Sequence, residues 1–133
     1  MDLPVEIKED LERAHGALQS AKRNLDEEDI LTAANRLFVA CESAIYAFLK
    51  SEYGSVSMSR ERILTRLKEI DPMMKEIYDK SYDLRVQADY GRESKHLPLT
   101  KINIQISLVN IIHIMQKVEE LIKKKQERLE GIH

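Results

Sequence analysis

The sequence predicts an all-α fold: an up-down four-helix bundle with one additional short helix, built as a single domain over residues 1–133. Three observations carry that prediction. Apolar residues recur in a four-three rhythm along most of the chain, which is the period of one helix face and not of a strand. Only four glycines and three prolines punctuate the 133 residues, too few for the many turns of an all-β domain. The helix formers Ala, Leu, Glu, Lys, Arg and Met are plentiful instead.

The elements follow in order. Ile7, Leu11, Ala14, Leu18, Ala21 and Leu25 lie on one narrow stripe, a first helix that the acidic run from Asp26 to Asp29 interrupts. Asp29 is placed to cap a second helix, because its carboxylate can accept from the unpaired N–H groups of a first turn. Ile30, Ala34, Leu37, Cys41, Ala44 and Phe48 repeat the rhythm, and the helix is expected to end around Ser51, before Gly54. After the polar GSVSMS segment, Ser59 caps a short third helix carrying Ile63, Leu67 and Ile70. Asp71-Pro72 reads as a cap followed by proline at the first helical position, where its missing N–H costs nothing. The fourth helix then buries Met74, Ile77, Ser81, Leu84 and Ala88, and residues 91–98 form a loop. Thr100 caps a fifth helix that runs to about Arg128.

The opening of that last helix, KINIQISL, alternates like a strand. The four-three rhythm continues through Ile104, Leu108, Ile111, Met115, Val118 and Ile122, and there is no second strand for it to pair with, so helix is the better reading. At about 100° per residue, Ile102, Ile106, Val109 and His113 fall on the face opposite that stripe. A helix that is apolar on two faces needs a cover on each, from another helix of its own bundle or from a partner chain; the third helix could supply one but is short, so these four residues are the expected contact of a homodimer.

Composition excludes several classes. With 43% hydrophobic and 33% charged residues the chain is neither a disordered tail nor a membrane protein. The N-terminal MDLPVEIKED lacks the apolar core of a signal peptide, and the single Cys41 cannot form an internal disulfide. A cytoplasmic protein is expected, with Cys41 as a buried hydrophobe. The net charge of −2 argues against specific DNA binding. His15, His96, His113 and His133 show no metal-ligand spacing, and no glycine-rich phosphate loop or nucleophile elbow occurs, so neither metal nor cofactor is expected.

Two polar clusters remain. Tyr78, Tyr82, Arg85 and Asp89 fall within about 60° of one another on the fourth helix. Asn35, Glu42 and Tyr46 share a face of the second, with Arg36 beside it. From periodicity alone, a solvated face with incidental ion pairs explains both. The KKKQER run near the C-terminus reads as a soluble, dipole-compatible helix end.

Two segments nevertheless resemble the HEPN family of small helical bundles. AANRLFVACESAIYAFL (residues 33–49) resembles its second helix, and LRVQADYG (84–91) resembles the Arg-x-x-Ala-Asp-Tyr-Gly signature of one branch. The resemblance spans nearly the whole chain. It implies a bundle that dimerises and that often partners a small nucleotidyltransferase, in modules of the toxin-antitoxin or stress-response type. It also implies a nucleotide- or RNA-binding edge, onto which Arg36, Arg85, Asp89, Tyr90, Arg92 and His96 map. Many HEPN proteins are metal-independent ribonucleases that use an Arg-x4–6-His motif. This chain departs from that motif: His96 lies eleven positions after Arg85 and four after Arg92. The expectation is therefore a non-catalytic binding protein. A divergent ribonuclease working through Arg85, Arg92 and His96, or a purely structural dimeric module, stands as the alternative.

Overall fold

Four side chains start four of the five helices. In the computed structural model, which describes residues 3–54, 59–94 and 97–131, the chain forms α1 (Val5–Asp26), α2 (Ile30–Tyr53), α3 (Arg60–Ile70), α4 (Pro72–Tyr90) and α5 (Lys101–Glu130). Asp29, Ser59, Asp71 and Thr100 accept from the backbone N–H of Thr32, Arg62, Met74 and Asn103, so all four expected caps are in place. α1 starts after Pro4 with no side-chain cap. α2 and α5 each run two residues beyond the expected ends, to Tyr53 and Glu130. Gly54 and Gly91 stop α2 and α4 with φ of 82° and 67°, a left-handed conformation that a side chain disfavours.

Cross-helix pairs give the topology. Lys50 Nζ meets Asp10 of α1, so α1 and α2 are antiparallel. Asn35 of α2 reaches Asp89 of α4, while Phe38 packs on Tyr82 and Tyr78, so that pair is antiparallel too. Lys117 of α5 bonds Asp71 at the start of α4, and Lys125 bonds the Ser51 carbonyl at the end of α2. α1, α2, α4 and α5 therefore run alternately up and down, and α3 lies against α4.

α2 sits at the centre, packed against α1, α4 and α5. Its buried residues include Ala33, Phe38, Ala40, Ser43, Ile45, Ala47 and Leu49 as well as Ala34, Leu37, Cys41, Ala44 and Phe48 of the expected stripe. The four-three rhythm marks one seam, whereas this helix has three neighbours. Its alanines carry almost no side-chain bulk, which lets α1 approach closely along one of those seams. Leu11, Leu25, Ile30, Ile77, Ala88 and Leu108 are half-buried against the core, and Ile70 is exposed because the short α3 ends there. Tyr78, expected on the polar flank of α4, is instead fully buried. Asp10 is a further buried group, held by Lys50 at 2.8 Å and Arg13 at 3.0 Å. Among the described residues no helix is long and apolar enough to cross a membrane.

Candidate functional site

The seam between the N-terminal half of α2 and the C-terminal half of α4 gathers most of the polar chemistry. Antiparallel packing sets Asn35 opposite Asp89, Phe38 opposite Tyr82, and Cys41 near Ser81. Asp89 accepts from Arg85 Nε at 3.1 Å and from Asn35 Nδ2 at 3.0 Å. Asn35 turns its other amide atom, Oδ1, to accept from Arg36 Nε at 3.0 Å. The result is a continuous relay, Arg36 to Asn35 to Asp89 to Arg85, tying two guanidinium groups from two helices into one edge. Arg36 has no carboxylate within ion-pair distance among the described residues. Its charge is offset only by an amide dipole.

Beneath the relay lies an aromatic floor. The Arg85 guanidinium carbon stands 5.3 Å from the Phe38 ring centroid. Phe38 meets Tyr82 edge-on at 5.5 Å, and Arg60 of α3 lies over the Tyr82 ring at 3.9 Å. Each cation over a ring face is attracted by the ring quadrupole, about 0.5–2 kcal/mol depending on how dry the site is. Arg60 is further fixed by Asp79 at 2.9 Å, which also accepts from Lys75. Arg85 and Asp89 keep 32% and 27% of their side-chain surface exposed, so an incoming anion can reach the guanidinium without unfolding anything.

Deeper along the same seam, Glu42 is half-buried beside the Tyr46 hydroxyl. Burial pushes its carboxyl above the ordinary range, while the Tyr46 hydroxyl and the nearby Arg85 charge pull it back in part. Burial and the Glu42 carboxylate push the Tyr46 hydroxyl up to about 12. Burial likewise raises the Cys41 thiol to about 12, leaving it protonated and inert at neutral pH.

The residues expected at the site separate into three groups. Arg36, Arg85 and Asp89 come together in the relay. Tyr90 and Arg92 are exposed where α4 ends, with 68% of Tyr90 open to solvent. His96 lies outside the described residues. Periodicity placed Asn35 and Tyr82 in the two polar clusters without showing that Asn35 bridges them or that Tyr82 lies in the floor, and it left out Phe38 and Arg60. The i,i+4 spacing of Arg85 and Asp89 was visible in the chain, but Asn35 stands 54 residues from its partner. The exit loop is positioned by Gln87, which donates to the Leu97 carbonyl at 2.7 Å and accepts from Leu99 N–H at 3.0 Å.

Ile102, Ile106, Val109 and His113 lie together on the outer face of α5, all exposed. Among the described residues, no three or more His, Cys, Asp or Glu side chains gather as metal ligands would. No protein-family model matches the chain, and no curated protein matches it.

Proposed function

We propose that this chain is a HEPN-like, non-catalytic bundle that binds the phosphate of a nucleotide or RNA at the α2/α4 edge. The observation that carries the reading is the relay from Arg36 to Arg85. Guanidinium groups are planar donors that match phosphate oxygens bidentately, and two of them on adjacent helices form a clamp. Asn35 and Asp89 hold that clamp in place before a ligand arrives, which lowers the ordering cost of binding. Tyr90, exposed one residue beyond Asp89, offers a ring on which a base can stack. The resemblance of LRVQADYG to the HEPN signature supports the same edge and adds a small nucleotidyltransferase as the protein partner, in a toxin-antitoxin or stress-response module. Cytoplasmic localisation belongs to this proposal.

Titrating ATP, GTP and a short single-stranded RNA against wild type and Arg85→Ala tests it. Saturable binding is expected in the wild type and a loss of at least tenfold in the variant, the order of one charge-assisted hydrogen bond. Equal affinities in the two proteins would remove the site.

One observation favours a second reading, a divergent metal-independent ribonuclease. Glu42 is a half-buried carboxyl that burial pushes above the ordinary range, beside Tyr46 and Arg85, the kind of group that transfers protons beside a phosphate. Incubation with labelled RNA in a chelator decides it. The ribonuclease reading predicts cleavage that Glu42→Gln abolishes, and intact RNA in every sample ends it.

A further inference from the structure

Asn103, Ser107 and Asn110 step by four and three along α5, one stripe over from its outer face and turned toward α4. There they line a groove of about 200 Å³ whose other walls are Ile77 and Leu84 of α4, Leu97 of the exit loop, and Ile106. A seam between two helices ordinarily carries apolar residues. Ser107 is instead 8% exposed, and among the described residues its hydroxyl has no hydrogen-bond partner. The Asn110 amide has none either, and Asn103 uses only its Nδ2, which donates to the Pro98 carbonyl at 2.7 Å. A buried hydroxyl left without a partner costs free energy that an apolar side chain would not. The loop wall is also fixed in advance. The buried Gln87 donates to the Leu97 carbonyl at 2.7 Å and accepts from Leu99 N–H at 3.0 Å, and Ser94 accepts from Leu97 N–H at 3.2 Å.

We propose that this groove binds a small neutral molecule with an amide edge, either a ring carrying a carboxamide or a cyclic amide. The unused groups supply the polar half of the match. Asn103 Oδ1 accepts, the Asn110 amide donates and accepts, and the Ser107 hydroxyl can do either, as an amide edge requires. A hydrocarbon leaves all three unpaired, and a site built to hydrogen-bond rejects such an analogue. An anion finds no free countercharge, because Lys80, the one charged lining residue among those described, is exposed and pairs with Glu76 at 3.0 Å. Apolar walls with a few convergent polar groups are the usual make-up of a small-molecule site. Size narrows the ligand further. Drug-sized molecules occupy roughly 300–1,000 Å³, so this groove holds a single ring.

None of these residues belongs to the α2/α4 edge, so the proposal stands apart from the phosphate-binding reading. Benzamide, pyridone, benzoate and toluene each present one ring and differ in what they offer to hydrogen-bond. Each is titrated against the whole chain and followed by backbone and side-chain amide chemical shifts. Benzamide or pyridone is expected to saturate at about 1 mM, the range open to a ligand of this size, with shifts centred on Asn103, Ser107 and Asn110. The tighter of the two tells an exocyclic carboxamide from a cyclic amide. Benzoate and toluene are expected to bind at least tenfold more weakly. Ser107→Ala is expected to weaken the amide probe about three- to tenfold, the weight of one hydrogen bond, with an unchanged circular dichroism spectrum. Ser107→Leu fills the groove and is expected to abolish binding. Benzoate or toluene that matches the amides, no saturation by either amide below about 10 mM, or wild-type affinity in Ser107→Ala overturns the proposal.

Discussion

The two exposed surfaces of this bundle are opposites. The α2/α4 edge is crowded with charge and satisfies nearly all of it internally: Arg85 and Asn35 bond Asp89, Arg36 bonds Asn35, and Arg60 bonds Asp79. The outer face of α5 carries no charge between Ile102 and Gln116 and makes no such bonds. The contrast teaches what each surface would demand of a partner. At the edge a ligand must offer more to the guanidinium groups than Asp89 already does, which favours a multiply charged phosphate over a weak anion. On α5 nothing has to be displaced except water, which favours an apolar surface of matching shape.

The largest expected break in that contrast comes from Phe38→Ala. Phe38 is 2% exposed and contacts Tyr78, Tyr82 and Arg85, so its removal empties the floor of the edge while leaving the α5 face unaltered. Chemical denaturation is expected to show a loss of about 3–5 kcal/mol, the usual cost of a buried aromatic. A loss below about 1 kcal/mol would mean that the edge has no packed floor.

Asp71→Ala comes next. Asp71 ends α3, caps α4 through Met74 N–H and bonds Lys117 of α5. A loss of about 1–2 kcal/mol is expected from the missing cap and pair, read by the same denaturation midpoint. Phosphate binding at the far end of α4 is expected to be unchanged, which separates damage to the fold from damage to the site.

Glu42→Gln sharpens the comparison through pH. The Glu42 carboxyl is raised in the fold, so the native state binds more protons than the unfolded chain between the ordinary value of 4.5 and the raised one. Stability from this group therefore falls as pH rises through that window, and the cost is fully present at neutral pH. The variant is expected to melt higher than wild type at pH 7 and equally at pH 4. A lower melting temperature at pH 7 would show that the Arg85 and Tyr46 contacts outweigh burial.

Tyr90→Ala has the smallest expected effect on folding, within about 0.5 kcal/mol, since the ring is largely open. In the proposed reading it weakens RNA and ATP more than inorganic triphosphate, because only the former carry a base.

The features legible in the sequence were local ones. The caps at Asp29, Ser59, Asp71 and Thr100, the proline at the start of α4 and the two-faced α5 depend on spacing within a few turns, and spacing is what a chain displays. The features that were not legible depend on pairs far apart. Asp10 is charged and reads as solvent-facing, yet Lys50, forty residues on, draws it into the bundle. Tyr78 belongs to the polar wheel of its own helix until Phe38 of α2 and Arg60 of α3 enclose it. Gln87 gives no sign in its own segment of clamping the loop at Leu97 and Leu99. The site follows the same rule: Arg85 and Asp89 could be named from one helix, whereas the Asn35 bridge exists only once two helices meet.

The central claim is that phosphate goes to the α2/α4 edge and not to any other cationic surface, such as Lys123, Lys124 and Arg128 at the end of α5. Backbone amide chemical shifts during an ATP titration test it most directly. The account predicts shifts confined to Asn35, Arg36, Arg85, Asp89 and their neighbours, and their loss in Arg85→Ala. Shifts centred on the α5 lysines, unchanged in that variant, would contradict it.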